Sequence, residues 1–146
     1  MLTDRPAGAR IVIILENGSE WPAWLEELGA RKETCVIAQS AHESLTRFAA
    51  RVAETCEPLN GSEVELAAIG CSERTDGSAQ AARRSIARTL GHVLRRKPGR
   101  LLITASERSS GRCRYCLSAF AIDLLMDFEA TGVSVGVRFG GLRQVA

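Results

Sequence analysis

The chain has 146 residues, 45% of them hydrophobic and 25% charged, which is the composition of a globular domain. No apolar run reaches the roughly 18 residues of a membrane helix, and the start lacks a secretion-signal pattern, so we expect a cytoplasmic protein. A single domain is predicted over residues 1–146, with residues 1–8 and 141–146 flexible. The five cysteines are irregularly spaced, which predicts free thiols.

The charge is unevenly distributed along the chain. The formal net charge is only +2, yet residues 83–114 contain ten arginines or lysines and one acid, Glu107. This asymmetry predicts a surface that faces anions, although such runs are also typical of a solvated helix face. Nucleic acid is not the expected partner, because no aromatic residues interleave with the basic turn at 95–100 to stack on bases.

Short apolar runs alternate with helical patterns throughout the sequence. This alternation predicts a three-layer α/β/α sandwich around a five-stranded, mainly parallel, Rossmann-like sheet. The expected strands are Arg10–Leu15, Thr34–Ala38, Val64–Gly70, Arg100–Ala105 and Val133–Phe139. In the last of these runs apolar and polar residues alternate, so one face of that strand is expected to be polar.

The segments between the strands carry helix signals. Trp21 and Trp24 are expected to anchor a first helix by packing. Residues 40–43 form a capping box, Ser-Ala-His-Glu, that is expected to open the second. The third helix is predicted from about Ser78 to Lys97, with an apolar stripe on one side and arginines on the other.

The fourth helix, predicted over residues 112–130, is apolar on nearly all sides. Leu117 and Leu124 belong to its core stripe, whereas Ile122 and Met126 fall on the far side. A helix of this kind packs against two partners, of which one is the sheet and the other can be a second subunit. We therefore expect a homodimer through this helix and strand 133–139, because an open sheet edge needs protection.

A nine-residue pattern occurs twice, at an offset of 34 residues. Residues 69–77 and 103–111 both read Ile-x-x-Ser-Glu-Arg-[Ser/Thr]-x-Gly, and each copy joins a strand end to a helix start. Open α/β sheets bind ligands at this edge, and hydroxyls, arginines and helix amides hold anions. We expect an anion or nucleotide-phosphate site here; a polar turn without a ligand is the alternative. The candidate binding residues are Asn17, Gly18, Ser19, Ser72, Arg74, Ser106, Arg108, Ser109, Ser110, Gly111 and Arg112.

Cys113 and Cys116 form a Cys-x-x-Cys near the start of the fourth helix. The helix dipole and the flanking arginines favour a thiolate and redox chemistry, whereas the place of Cys113 on the core stripe favours a small buried side chain. A metal site completed by Cys71 and His42 is a third interpretation, although the spacing matches no standard zinc pattern. No catalytic motif is present, so no catalytic or metal-ligating residue is assigned. Two alternative functions remain: a redox or metal-binding protein that uses Cys113 and Cys116, and a partner-docking or dimerisation module without a small ligand.

Two stretches carry a resemblance to a known family. They are the opening strand with its turn, residues 11–20, and the closing sequence of Pro98-Gly99, strand, Ser/Gly/Arg loop, helix and valine-rich strand. This layout resembles the universal stress protein family, in which the position of Asn17 is an aspartate that contacts nucleotide. The resemblance implies an adenine nucleotide alpha hydrolase-like fold with strand order 3-2-1-4-5, a dimer with a stress-associated role, and an adenine nucleotide or another phosphate-bearing ligand. The other order, 2-1-3-4-5, would bring Cys71 towards Cys113.

Overall fold

The computed structural model describes residues 9–19, 33–59, 64–94 and 99–140. Within them every predicted strand is present, and no strand boundary differs from its expected position by more than two residues. The strands are β1 (Ile11–Leu15), β2 (Thr34–Ala38), β3 (Leu66–Gly70), β4 (Gly99–Ala105) and β5 (Val133–Phe139). The expectations for the two chain ends, for Trp21 and Trp24, and for positions 95–98 of the basic turn lie outside the described residues.

All neighbouring strands pair in parallel, in the order β2-β1-β3-β4-β5. The parallel five-stranded sheet confirms the predicted three-layer, Rossmann-like α/β class. The predicted strand order, 3-2-1-4-5, is wrong. The chain leaves β1 towards β2, returns across β1 to β3, and then continues outwards through β4 to β5.

Close contacts between β1 and β3 accompany this order. Leu15 at the end of β1 is level with Gly70 at the end of β3. A Cβ at Gly70 would lie 2.9 Å from the Cδ2 atom of Leu15, so a glycine permits this close approach. Next to this pair, the Glu16 carboxylate accepts the amide hydrogen of Ser72 at 2.9 Å, which joins the turns that follow β1 and β3.

Three helices are described, and each begins at a side-chain cap. They are α1 (Leu45–Cys56), α2 (Gly77–Val93) and α3 (Gly111–Asp127), capped by Ser44, Asp76 and Ser110. The starts of α2 and α3 lie within one residue of prediction. Helix α1 begins later than its capping box indicated: Glu43 does accept the amide hydrogen of Ser40, but the pair closes a turn before the helix.

Apolar side chains are buried on both faces of the sheet. The larger cluster joins one face to all three helices through residues such as Phe48, Ile86 and Leu117. The smaller cluster, on the other face, contains only strand residues, among them Ile13 and Leu102. At β5 this second face is polar and exposed, as the alternating sequence predicted.

Candidate functional site

The turns that follow β1, β3 and β4 meet at the carboxyl edge of the sheet. The amide of Glu16 donates to the carbonyl of Gly70 at 2.9 Å, and the amide of Cys71 donates to the carbonyl of Thr104 at 2.8 Å. These bonds bring residues 17–19, 72–74 and 106–112, the predicted binding residues, to one edge. Because β3 and β4 are adjacent, the two copies of the repeat are neighbours.

A buried ion pair lies at the centre of this edge. Arg83 of α2 donates from Nε to Oε2 of Glu16 at 2.5 Å and from Nη2 to Oε1 at 2.8 Å. Both side chains are almost completely excluded from solvent, at 0% and 1% exposed. Burial opposes the charge of Arg83, yet the hydrogen bonds to Glu16 raise the pKa of the guanidinium above its ordinary value.

The ion pair also ties together the first copy of the repeat. Oε1 of Glu16 accepts from the hydroxyl of Ser72 at 2.8 Å and from its amide at 2.9 Å. Arg83 donates to the backbone carbonyls of Arg74 and Ser72. Glu16 and Arg83 thus hold the turn after β3 in place against β1 and α2.

Neither Glu16 nor Arg83 is among the candidate binding residues predicted from the sequence. The sequence does hold a signal for both. Glu16 follows a run of five apolar residues that are all buried, and Arg83 occurs on the inward stripe of α2 with Ala79 and Ile86. A charged residue at a core position requires a buried partner of opposite charge.

The exposed arginine of the first copy, Arg74, is also neutralised. It forms a two-point ion pair with Asp76, with N···O distances of 3.0 and 2.8 Å. Asp76 in turn caps α2 by accepting from the amide of Ala79. The hydrogen bond from Arg74 lowers the pKa of Asp76 to about 2. An external anion would therefore meet a carboxylate at this helix start.

The second copy has a different charge balance. Arg108 and Arg112 are exposed and form no ion pair with the described residues. The first turn of α3 contains no acid of its own, but the carboxylate of Glu73 accepts from the amide of Ser110 at this helix start, at 3.5 Å. The hydroxyl of Ser106 accepts from the amide of Arg108, and that of Ser110 accepts from the amide of Cys113. These bonds shape the 106–112 turn while leaving two cations at its rim.

Two further arginines, Arg114 of α3 and Arg84 of α2, are engaged in other contacts. Arg114 lies 4.7 Å from the ring centre of Phe139 and donates to the carbonyls of Glu107 and Ser109. Arg84 leaves the edge and forms ion pairs with acids of α3, at 3.3 and 3.5 Å. Because Arg74 is paired with Asp76, the candidate arginines are reduced to Arg108 and Arg112.

The cysteines give limited support to redox chemistry. Cys71 and Cys113 are buried on neighbouring elements, and burial raises the pKa of each thiol. The thiol of Cys113 donates to the carbonyl of Ser72. Cys116 is only half-buried, and every cysteine in the described segments is a free thiol. Within those segments no three His, Cys, Asp or Glu side chains are grouped so as to hold a metal ion.

Two open grooves lie away from the predicted binding residues. The larger, about 530 Å³, lies at the start of α1 and is lined by His42, Glu43 and Arg47 among others. The smaller, about 300 Å³, lies between α1 and α2 beside Thr89 and His92. In the larger groove, the hydrogen bond from Arg51 lowers the pKa of Glu43 to about 2, so the acid and the base there neutralise one another.

The outer face of α3 is the most exposed apolar surface of the described residues. Their exposed large hydrophobic side chains all belong to this helix: Tyr115 at 76%, Ile122 at 59%, Leu125 at 46% and Met126 at 71%. The opposite face of α3 is buried against the sheet through Leu117, Leu124 and others. The predicted outward position of Ile122 and Met126 is confirmed.

In comparisons with protein-family models, curated proteins and solved structures, nothing matches this chain. Among the described residues, no helix combines the length and the apolar character needed to cross a membrane. The fold and the site define a parallel α/β domain with its polar turns at the carboxyl edge and an apolar helix face at one side.

Proposed function

We propose that this protein is a self-associating α/β domain in which the outer face of α3 pairs with a second copy of the chain. The observation that carries the proposal is the concentration of exposed large apolar side chains on this one helix face. Scattered single apolar residues are normal on a protein surface, whereas contiguous patches mark interaction sites. Burying an exposed side chain such as Met126 would contribute about 1.5–3 kcal/mol.

The neighbouring edge strand supports the same proposal. β5 is the last strand of the sheet and pairs only with β4, so the described residues leave the backbone groups of its outer side open. Val135 and Val137 are only half-buried beside α3. A partner that covers α3 and strand 133–139 would protect this edge as well.

Replacing Met126 with glutamate is expected to shift the protein towards monomer. The dissociation constant should rise about tenfold or more, because an apolar contact is lost and a charge is placed in the interface. Sedimentation velocity at tens of micromolar measures the shift. Ala81→Glu, at an exposed position of α2, is the matched control and should leave the association unchanged. A wild-type protein that is monomeric under these conditions would contradict the proposal.

A second candidate function is the binding of a phosphate-bearing ligand, an adenine nucleotide included, at residues 106–112. It is favoured by the two exposed arginines of this turn, which lack ion-pair partners among the described residues. A ligand at the start of α3 would displace the carboxylate of Glu73, which accepts from the amide of Ser110 there. In the first copy of the repeat, Asp76 already neutralises Arg74, and Glu16 neutralises Arg83 of the following helix. We place this ligand at the second copy; the turn of residues 17–19 lies one strand further along the edge, because β3 separates β1 from β4.

Arg108→Ala and Arg112→Ala should each weaken the binding of AMP or inorganic phosphate about tenfold, because a charge-assisted hydrogen bond is lost. Isothermal titration calorimetry at low and moderate salt measures the effect, and added salt should weaken binding further. Arg74→Ala is the control, since its charge is already paired with Asp76. Binding that neither Arg108 nor Arg112 affects would place the site elsewhere.

The family and the location belong to the proposal too. A stress-associated role rests on the sequence resemblance to universal stress proteins, whose expected strand order differs from the one observed. A cytoplasmic location agrees with the free cysteines of the described residues. Neither dimerisation nor phosphate binding depends on the family assignment.

A further inference from the structure

We infer that two copies of the chain pair through α3 in an antiparallel arrangement that sets Tyr115 against Met126 of the second copy and Ala119 against Ile122. This inference rests on the proposed dimer and names its geometry. It follows from the spacing of the exposed side chains on α3 and from the charges at the two ends of that helix.

The spacing defines a self-complementary stripe. Residues three and four apart lie on the same face of a helix, so Tyr115, Ala119, Ile122 and Met126 form one row. The large side chains of this row are exposed, and Ala119 is half-buried. The middle of the row lies between Ala119 and Ile122. A two-fold axis at this point brings Tyr115 level with Met126 and places the small Ala119 opposite the larger Ile122.

The charges select the antiparallel direction. Arg112 lies in the first turn of α3, and Glu129 lies directly after its last turn. Both are exposed, and neither forms an ion pair with the described residues. In the antiparallel arrangement, Arg112 of each copy is level with Glu129 of the other. A parallel arrangement would instead set Arg112 against Arg112 and align the helix dipoles unfavourably.

The charged residues on either side of the apolar row agree with this geometry. On one side, Asp123 and Asp127 are held by Arg84 of α2, so they stay within their own copy. On the other side, Arg114 is stacked on Phe139 and bonded to the backbone of its own turn. Arg112 and Glu129 are therefore the charges of the helix ends that remain available to a partner. Exposed ion pairs contribute little, so they decide orientation while the apolar row supplies the affinity.

Cysteine cross-linking tests the register directly. In a Cys116→Ser background, one chain carries Tyr115→Cys and a second chain carries Met126→Cys. After the two are mixed and mildly oxidised, a cross-linked heterodimer is expected, whereas each chain alone should cross-link poorly. Cross-linking of Tyr115→Cys with itself would overturn the antiparallel register. A protein that sediments as a monomer in every case would instead reject the proposed dimer.

A charge exchange gives a second, non-covalent readout. Arg112→Glu should raise the dissociation constant about fivefold or more, because two ion pairs per dimer become repulsive. Combining it with Glu129→Arg should restore the wild-type value. If the double variant dimerises no better than Arg112→Glu alone, the two residues are not opposite one another and the register is wrong.

Discussion

Replacing Glu16 with alanine is expected to lower the free energy of unfolding by about 3–5 kcal/mol, a large share of the stability of a domain of this size. The guanidinium of Arg83 would remain charged and completely buried, with its main partner removed. The amide and hydroxyl of Ser72 would lose their acceptor as well. Urea denaturation followed by circular dichroism measures the loss.

Two variants distinguish the effect of losing the ion pair from general damage to the fold. Glu16→Met combined with Arg83→Met removes both charges and should recover a substantial part of the loss, because no uncompensated charge stays buried. Arg74→Ala removes an exposed ion pair and should change stability by at most about 1 kcal/mol. If Glu16→Ala costs no more than Arg74→Ala, the buried pair does not hold the edge together.

Gly99→Ala is expected to destabilise the protein by about 1–3 kcal/mol, since the new methyl group has no room. A Cβ at this position would lie 2.5 Å from the carbonyl oxygen of Leu94 and 2.9 Å from its Cβ. Leu94 is itself fully buried after the last turn of α2, so its backbone cannot move away cheaply. The entry into β4 would have to shift, which thermal denaturation detects as a lower Tm.

Gly111→Ala is the matched control for this prediction. Nothing lies within 4 Å of a Cβ at Gly111, and the residue is exposed at the first position of α3. The same chemical change should therefore leave Tm nearly unchanged. Equal losses for Gly99→Ala and Gly111→Ala would show that backbone flexibility, and not the contact with Leu94, is responsible.

Local sequence patterns did not predict the strand order. The apolar run of β1 indicates a strand buried on both faces, and this holds whether its second neighbour is β3 or β4. The choice depends on contacts between residues far apart in the chain, such as Gly70 with Leu15 and Ser72 with Glu16. No periodicity or cap records those contacts, and the family resemblance led to the other order.

The candidate site was predicted in part for a similar reason. The repeat indicated correctly that both turns lie at the carboxyl edge of the sheet, because the ends of parallel strands meet there. It did not reveal that Arg83 is bound by Glu16 and Arg74 by Asp76, while Arg108 and Arg112 have no such partner in the described segments. Charge counting along a sequence does not show which charges are already paired.

The sequence by itself determined the strands, the starts of α2 and α3, the parallel α/β class and the outward position of Ile122 and Met126. These properties follow from apolar runs, helical spacing and caps, which act over a few neighbouring residues. Only the tertiary structure decided the strand order, the burial of the Glu16–Arg83 pair and which copy of the repeat has arginines without an ion-pair partner among the described residues. These properties depend on contacts between residues as many as 67 positions apart in the sequence. Such contacts form only when the whole chain packs.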